Sequence, residues 1–102
     1  MSSKQALFIR HQAKPGLRDE VRRVWETFVK PRAAANPGHE AYYFCYDDGD
    51  PDTICVFQLY SSKAAMDAFL AGDWYPDYLK AVGEVVAAPP QVSPASLVWQ
   101  KV

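Results

Sequence analysis

Two apolar stretches on either side of a dense turn set the strongest limit on the fold. The run HEAYYFCYDD enters the turn DDGDPD and TICVFQLYSS leaves it, which predicts two antiparallel strands joined by a hairpin loop. Side chains alternate across a strand, so Tyr42, Phe44 and Tyr46 oppose Tyr43 and Cys45, while Ile54 and Val56 oppose Cys55, Phe57 and Leu59. A sheet covered on one side only should alternate apolar with polar. Here both faces are apolar, and both need a cover.

The flanking segments supply one of the two covers. QALFIRHQA, from Gln5 to Ala13, reads as a strand with Leu7, Ile9 and His11 on one face and Phe8, Arg10 and Gln12 on the other. After KPG, the positions Leu17, Val21, Val24, Trp25 and Phe28 form one helical stripe, predicting a long amphipathic helix that ends between Pro31 and the N-P-G turn at residues 36–38. Ser61 or Ser62 can cap a second helix that turns Met66, Phe69 and Leu70 inward. Gly72 stops that helix, Asp73 is placed to cap a restart, and Pro76 fits the first turn of the restart. AAPPQVSP then breaks the chain, and ASLVWQKV is expected to form the last strand.

This order is the α+β, ferredoxin-like βαββαβ arrangement: a four-stranded antiparallel sheet with both helices on one face, here expected as a single domain over residues 1–102. The second face is most economically covered by the same face of another copy, which predicts a homodimer packed sheet to sheet.

Composition narrows the partners. With 49% hydrophobic and 14% aromatic residues in 102, the chain can build one rich core, and a partner subunit would help so small a domain cover its surface. Its net charge is -1, and Arg18, Arg22, Arg23 and Arg32 are interleaved with Asp19, Glu20 and Glu26. No basic field results, so nucleic acid is not an expected partner. No segment has membrane-spanning length and MSSKQALFIRHQ lacks a long apolar core, so the expected setting is cytoplasmic, with no membrane partner. Two cysteines are too few for a disulfide framework and carry no metal-ligand spacing, so no metal is expected. A hairpin centred near Asp50 sets Cys45 opposite Cys55, on the face expected to meet the second copy. Packed free thiols are expected there, not a redox pair.

The element order, the KPG turn into the first helix and the run FQLYSSKAAMDAFLAGDWYPDYLKAV resemble the antibiotic biosynthesis monooxygenase family of dimeric α+β barrels. The family's usual ending of the third strand is an acidic residue, one further residue, Trp and Ser; the matching positions are Gln58, Leu59, Tyr60 and Ser61. A histidine common in the family's second helix has no counterpart near Phe69 or Leu70. Functional Asn, Trp and His of the haem-degrading branch would fall on Ile9, Phe69 and Leu79, and Leu79 cannot ligate iron. Asn and Trp of the anthrone-oxidising branch would fall on Val56 and Tyr60. The resemblance therefore implies the fold and the dimer, but the catalytic residues of neither branch carry over. The activity it suggests is that of an oxygenase using molecular oxygen on a phenolic, quinol or polyketide-like aromatic with no bound cofactor.

Such chemistry needs a dry apolar pocket with a few polar tips, because the deprotonated substrate itself does the redox work. His11 is the best available base, and Tyr60 can donate to a substrate oxygen; either can instead be a packing residue. Gln58 can orient a ligand or bond across strands, with Tyr42 and Tyr46 on its face. Phe69, Trp74 and Tyr78 are the remaining candidate substrate contacts, and the break at Gly72 and Asp73 would let Trp74 or Tyr78 swing as a gate. Two rival readings use the same residues: a non-catalytic dimer that binds a hydrophobic small molecule, and an oxygen-independent isomerase or cyclase with His11 as base. A cavity over Tyr60 with His11 in its wall would favour either enzyme over a filled core, and a collapsed interior would rule out both enzymatic readings.

Overall fold

The two apolar runs flanking the acidic turn become adjacent strands of a four-stranded antiparallel sheet in the computed structural model, which describes residues 3–101. The elements run β1 (Gln5–Gln12), α1 (Arg18–Phe28), α2 (Lys30–Ala35), β2 (His39–Tyr46), β3 (Thr53–Tyr60), α3 (Lys63–Leu70), α4 (Tyr75–Gly83) and β4 (Gln91–Ser96). Strand order is β2-β3-β1-β4, so the chain's second and fourth strands form the edges. The arrangement is the expected ferredoxin-like α+β fold. Residues 1, 2 and 102, the ends of the expected domain, lie outside the described residues. No helix among the described residues is long and apolar enough to cross a membrane.

Register fixes what faces the helices. Ile9 pairs with Val56 and Leu7 with Gln58 across β1 and β3, and Tyr42 pairs with Gln58 across β2 and β3. The inner face thus carries Leu7, Ile9, His11, Tyr42, Phe44, Tyr46, Ile54, Val56, Gln58 and Tyr60. Val21 of α1, Val29 and Ala33 around α2, and Tyr78 and Val82 of α4 bury against Ile54 and Val56. A smaller cluster of Leu7, Tyr60 and Met66 forms under α3. Fully burying each of the valine, isoleucine, leucine and methionine side chains among them contributes about 1.5–3 kcal/mol, which anchors the helix layer on the two central strands of the sheet, β1 and β3.

Three local expectations need correction. The first helix is not continuous: it ends at Phe28 and resumes as α2, because Pro31 near the start of α2 has no N–H to give the preceding turn. Asp73 caps nothing; Trp74 is the N-cap residue of α4 and makes no side-chain cap. The last strand is Gln91–Ser96, earlier than ASLVWQKV, and contains Pro94. A proline is tolerated there because β4 is an edge strand bonded to β1 alone. Beyond it Val98 and Trp99 are exposed. Ser62 does cap α3, accepting from the Ala65 N–H at 3.0 Å.

Cys45 and Cys55 are direct cross-strand partners on the outer face, and both are free thiols. The same face carries an aromatic patch. Phe57 sits between Phe8, with ring centroids 5.1 Å apart, and Tyr43, stacked at 6.0 Å. Phe8 is 48% exposed and Tyr43 60%.

Arg18 locks the hairpin loop to the start of α1. Its Nη1 donates to the carbonyls of Asp47 at 3.0 Å, Asp50 at 2.8 Å and Thr53 at 3.2 Å, and its guanidinium lies 4.0 Å over the Tyr46 ring. Removing this charged donor takes one partner from each of three partly buried carbonyls; Asp50 O and Thr53 O keep a backbone N–H, from Thr53 and Asp47, and Asp47 O loses the donor it has here. Arg18→Ala is expected to lower unfolding free energy by roughly 2 kcal/mol, measured by urea denaturation.

Candidate active site

Between the inner face of the sheet and helices α3 and α4 lies a cavity of about 20 Å³, lined by Ile9, His11, Val29, Tyr42, Gln58, Phe69, Leu70, Trp74, Tyr75, Tyr78, Leu79, Pro90 and Val92. That is room for about one water molecule. Four of these residues, Tyr75, Leu79, Pro90 and Val92, also border an open cleft of about 580 Å³ between α4 and the approach to β4. The cleft continues along Val82, Gly83, Val86, Ala87, Ala88 and Pro89. No lining residue of cavity or cleft is an Asp, Glu, Lys or Arg. The site is therefore a narrow polar floor reached from a wide apolar mouth.

His11 is on that floor. Strand parity turns it inward, where it is only 4% exposed, and its Nδ1 has no hydrogen-bond partner. Burial pushes its pKa down from 6.5 to about 4, because the imidazolium would lose water without gaining a counter-charge. At neutral pH it is an uncharged imidazole, free to accept or donate one hydrogen bond.

Gln58 is the second polar group, 2% exposed, and its Oε1 accepts from the Tyr60 hydroxyl and pairs with His39 Nε2 at 2.9 Å. Tyr60 itself does not line the cavity; it lies beneath Gln58, and burial raises its phenol above the usual range. Tyr42 and Tyr78 do line it, and burial raises both phenols as well. Tyr42 accepts from Trp25 Nε1 at 2.9 Å. Tyr46, though on the same face, is at the far end of β2, donating to Asp19 Oδ1 at 2.5 Å, and does not reach the cavity.

Strand parity pointed to His11, Tyr42 and Gln58 and the broken helical pattern to Phe69, Trp74 and Tyr78; the cavity brings all six together, and the sequence reading missed three contributors. Tyr75 lines both cavity and cleft. His39 enters because the N-P-G turn and an irregular register between His39 and Ala41 aim its ring inward, 4.2 Å from the Tyr60 ring and 4.5 Å from Phe69. Asn36 holds it, Nδ2 to Nδ1 at 2.9 Å. A histidine next to an N-P-G turn was the available signal, but nothing in the spacing shows which way it points.

The interruption between α3 and α4 packs shut. Trp74 lies edge-on to Phe69 at 5.2 Å and beneath the Arg32 guanidinium, 5.0 Å from its ring. A Cβ on Gly72 would overlap the Trp74 indole nitrogen, so only glycine lets the ring sit this close. Gly72→Ala is expected to displace the indole and lower stability by about 1–3 kcal/mol, with the loss of Trp74's near-ultraviolet dichroism as the check.

Fold and site together define a ferredoxin-like α+β protein with an uncharged, aromatic-walled pocket over the sheet. Residues 5–82 match the family model for antibiotic biosynthesis monooxygenase. The chain belongs to that family. It is 26% identical over 93 residues to the Mycobacterium tuberculosis protein named "Putative monooxygenase Rv0793", covering 91% of this chain and 90% of that one. Among solved structures, it is similar to the Nitrosomonas europaea protein of unknown function NE2512, with a TM-score of 0.82, 26% identity and coverage of 99% and 95%. A Caulobacter crescentus CB15 "putative antibiotic biosynthesis monooxygenase" superposes with a TM-score of 0.86 at 18% identity, covering 96% of this chain and 92% of that one, a likeness of fold.

Proposed function

We propose that the protein is a monooxygenase that oxidises a phenolic, quinol or polyketide-like aromatic with molecular oxygen and no bound cofactor, acting as a homodimer joined through the outer sheet face. One observation carries the reading: a buried histidine, unpartnered at Nδ1, on the floor of a pocket whose walls hold no carboxylate, lysine or arginine. A structural histidine that deep is ordinarily hydrogen-bonded.

The aromatic lies in the α4–β4 cleft, between Tyr75, Leu79, Pro90 and Val92, with its hydroxyl reaching the floor. His11 accepts the hydroxyl proton, and the imidazolium and aryloxide attract strongly because little water screens them. The electron-rich ring carbon then gives an electron pair to oxygen, forming a carbon-bound peroxide that takes the proton back from His11. Water leaves as the C–H proton and the distal hydroxyl depart, so one oxygen atom ends as a carbonyl and the other as water. Phe69, Trp74 and Tyr78 exclude solvent from the intermediate. Tyr42 and Gln58 stand at the developing oxyanion.

The small size of the inner cavity favours one other reading, a non-catalytic dimer that takes a hydrophobic molecule in the cleft alone. Oxygen uptake by the metal-free protein with anthrones, naphthols and hydroquinones, against an autoxidation blank, separates the two. The oxygenase gives uptake above the blank that His11→Leu returns to it. Uptake equal to the blank for every substrate, with ligand-induced thermal shifts retained, selects the binder.

A further inference from the structure

His39 takes no part in the mechanism above, yet it is locked at both ring nitrogens. The lock starts from a backbone group whose role cannot reverse. The Gly38 N–H donates to Asn36 Oδ1 at 3.1 Å, so the Asn36 amide must present its NH₂ to His39 Nδ1, 2.9 Å away. A neutral imidazole that accepts at Nδ1 carries its proton on Nε2. That proton is donated to Gln58 Oε1, and the Tyr60 hydroxyl donates to the same oxygen. Burial lowers the His39 pKa and keeps the ring neutral.

With Gln58 Oε1 doubly occupied, its amide nitrogen is turned the other way. Among the described residues no group accepts from Gln58 Nε2, and the side chain lines the cavity that His11 also lines. We infer that the Gln58 NH₂ is the donor to the substrate oxygen, and that His39 is the positioning residue that fixes its orientation through the chain Gly38, Asn36, His39, Gln58. Tyr60 serves the same end. Its hydroxyl proton is spent on Gln58, so it is not the group that touches substrate. The hydroxyls of Tyr42, Tyr75 and Tyr78, whose side chains also line the cavity, are free to rotate about their C–O bonds, whereas the amide is held before the ligand arrives, as stabilisation of an oxyanion requires. The pocket then offers one fixed donor, one histidine and no charge. It selects a neutral aromatic with a hydroxyl or carbonyl oxygen and turns away carboxylates and phosphates.

This assignment rests on the proposed ligand site, but its test needs no turnover. Under anaerobic conditions 1-naphthol and naphthalene are titrated into wild-type protein by fluorescence quenching. Gln58→Leu is expected to weaken 1-naphthol roughly tenfold and leave naphthalene unchanged, since one hydrogen bond to the oxygen is lost. His39→Phe keeps the ring stack on Tyr60 and Phe69 and is expected to show the same split, several-fold smaller. Tyr42→Phe or Tyr60→Phe weakening 1-naphthol more than Gln58→Leu would overturn the donor assignment, and so would failure of both probes to bind wild type. Nitrogen-15 shifts of the ligand-free protein should show His39 as the Nε2–H tautomer, reversed or charged in Asn36→Asp. An Nδ1–H tautomer in wild type overturns the positioning role. Binding that follows this pattern without oxygen uptake would remove the oxygenase reading and leave this one standing.

Discussion

Between pH 6.5 and about 4 the protein is expected to lose roughly 3 kcal/mol of unfolding free energy through His11 alone. The folded pKa lies below the unfolded one, so within this window the unfolded chain binds a proton that the folded chain refuses. Stability therefore falls as pH falls through the window and the slope disappears below it, where both states are protonated. No lining side chain of the cavity is a carboxylate able to hold the imidazolium in place. His11→Leu removes the group and its unpartnered nitrogen together. The variant should be more stable than wild type at pH 7, by about 1–3 kcal/mol, and its lead should widen towards pH 4. Urea titrations of both proteins at pH 7, 5.5 and 4 measure this. Parallel loss in the two proteins would mean that His11 has found a partner or remains wet. A stabilising substitution that also abolishes oxygen uptake would mark His11 as a residue held at a cost to the fold.

Phe57→Asp is expected to reduce the sedimentation mass at micromolar concentration from twice 11.5 kDa to 11.5 kDa. Phe57 is the middle of the Phe8, Phe57 and Tyr43 patch on the outer sheet face, and two copies related by a twofold axis would bring two such patches together. In the monomer the carboxylate is solvated. Between two sheets it is desolvated and faces its own image, which weakens association roughly a hundredfold or more. A wild-type monomer at that concentration would defeat the dimer proposal outright.

Much of the architecture was legible because a strand has a period of two. Parity put Leu7, Ile9 and His11 on the inner face, a hairpin centred near Asp50 put Cys45 opposite Cys55, and the register bears out both placements. Parity says nothing about distance along the strand. Tyr46 has the right face but sits beside Asp19, whereas His39, at the other end of β2, has a ring that reaches Gln58. Propensity misled at the chain's last strand, where LVW looked more strand-like than QVSPAS. Pairing with β1 decided, and an edge position forgave the proline. Asp73 had the right chemistry for a cap, but the Trp74 indole settling against Gly72 sets the entry to α4 instead.

The strand order has a kinetic side. His11 and Gln58 stand on β1 and β3, each hydrogen-bonded to neighbours on both sides, while the mouth is bounded by α4 and the edge strand β4. Amide hydrogen exchange should accordingly be slowest along β1 and β3, approaching the rate set by global unfolding, and faster along α4 and β4. A ligand too large for the inner cavity can then be admitted by loosening one flank of the molecule, while the two strands that align its oxygen stay in register.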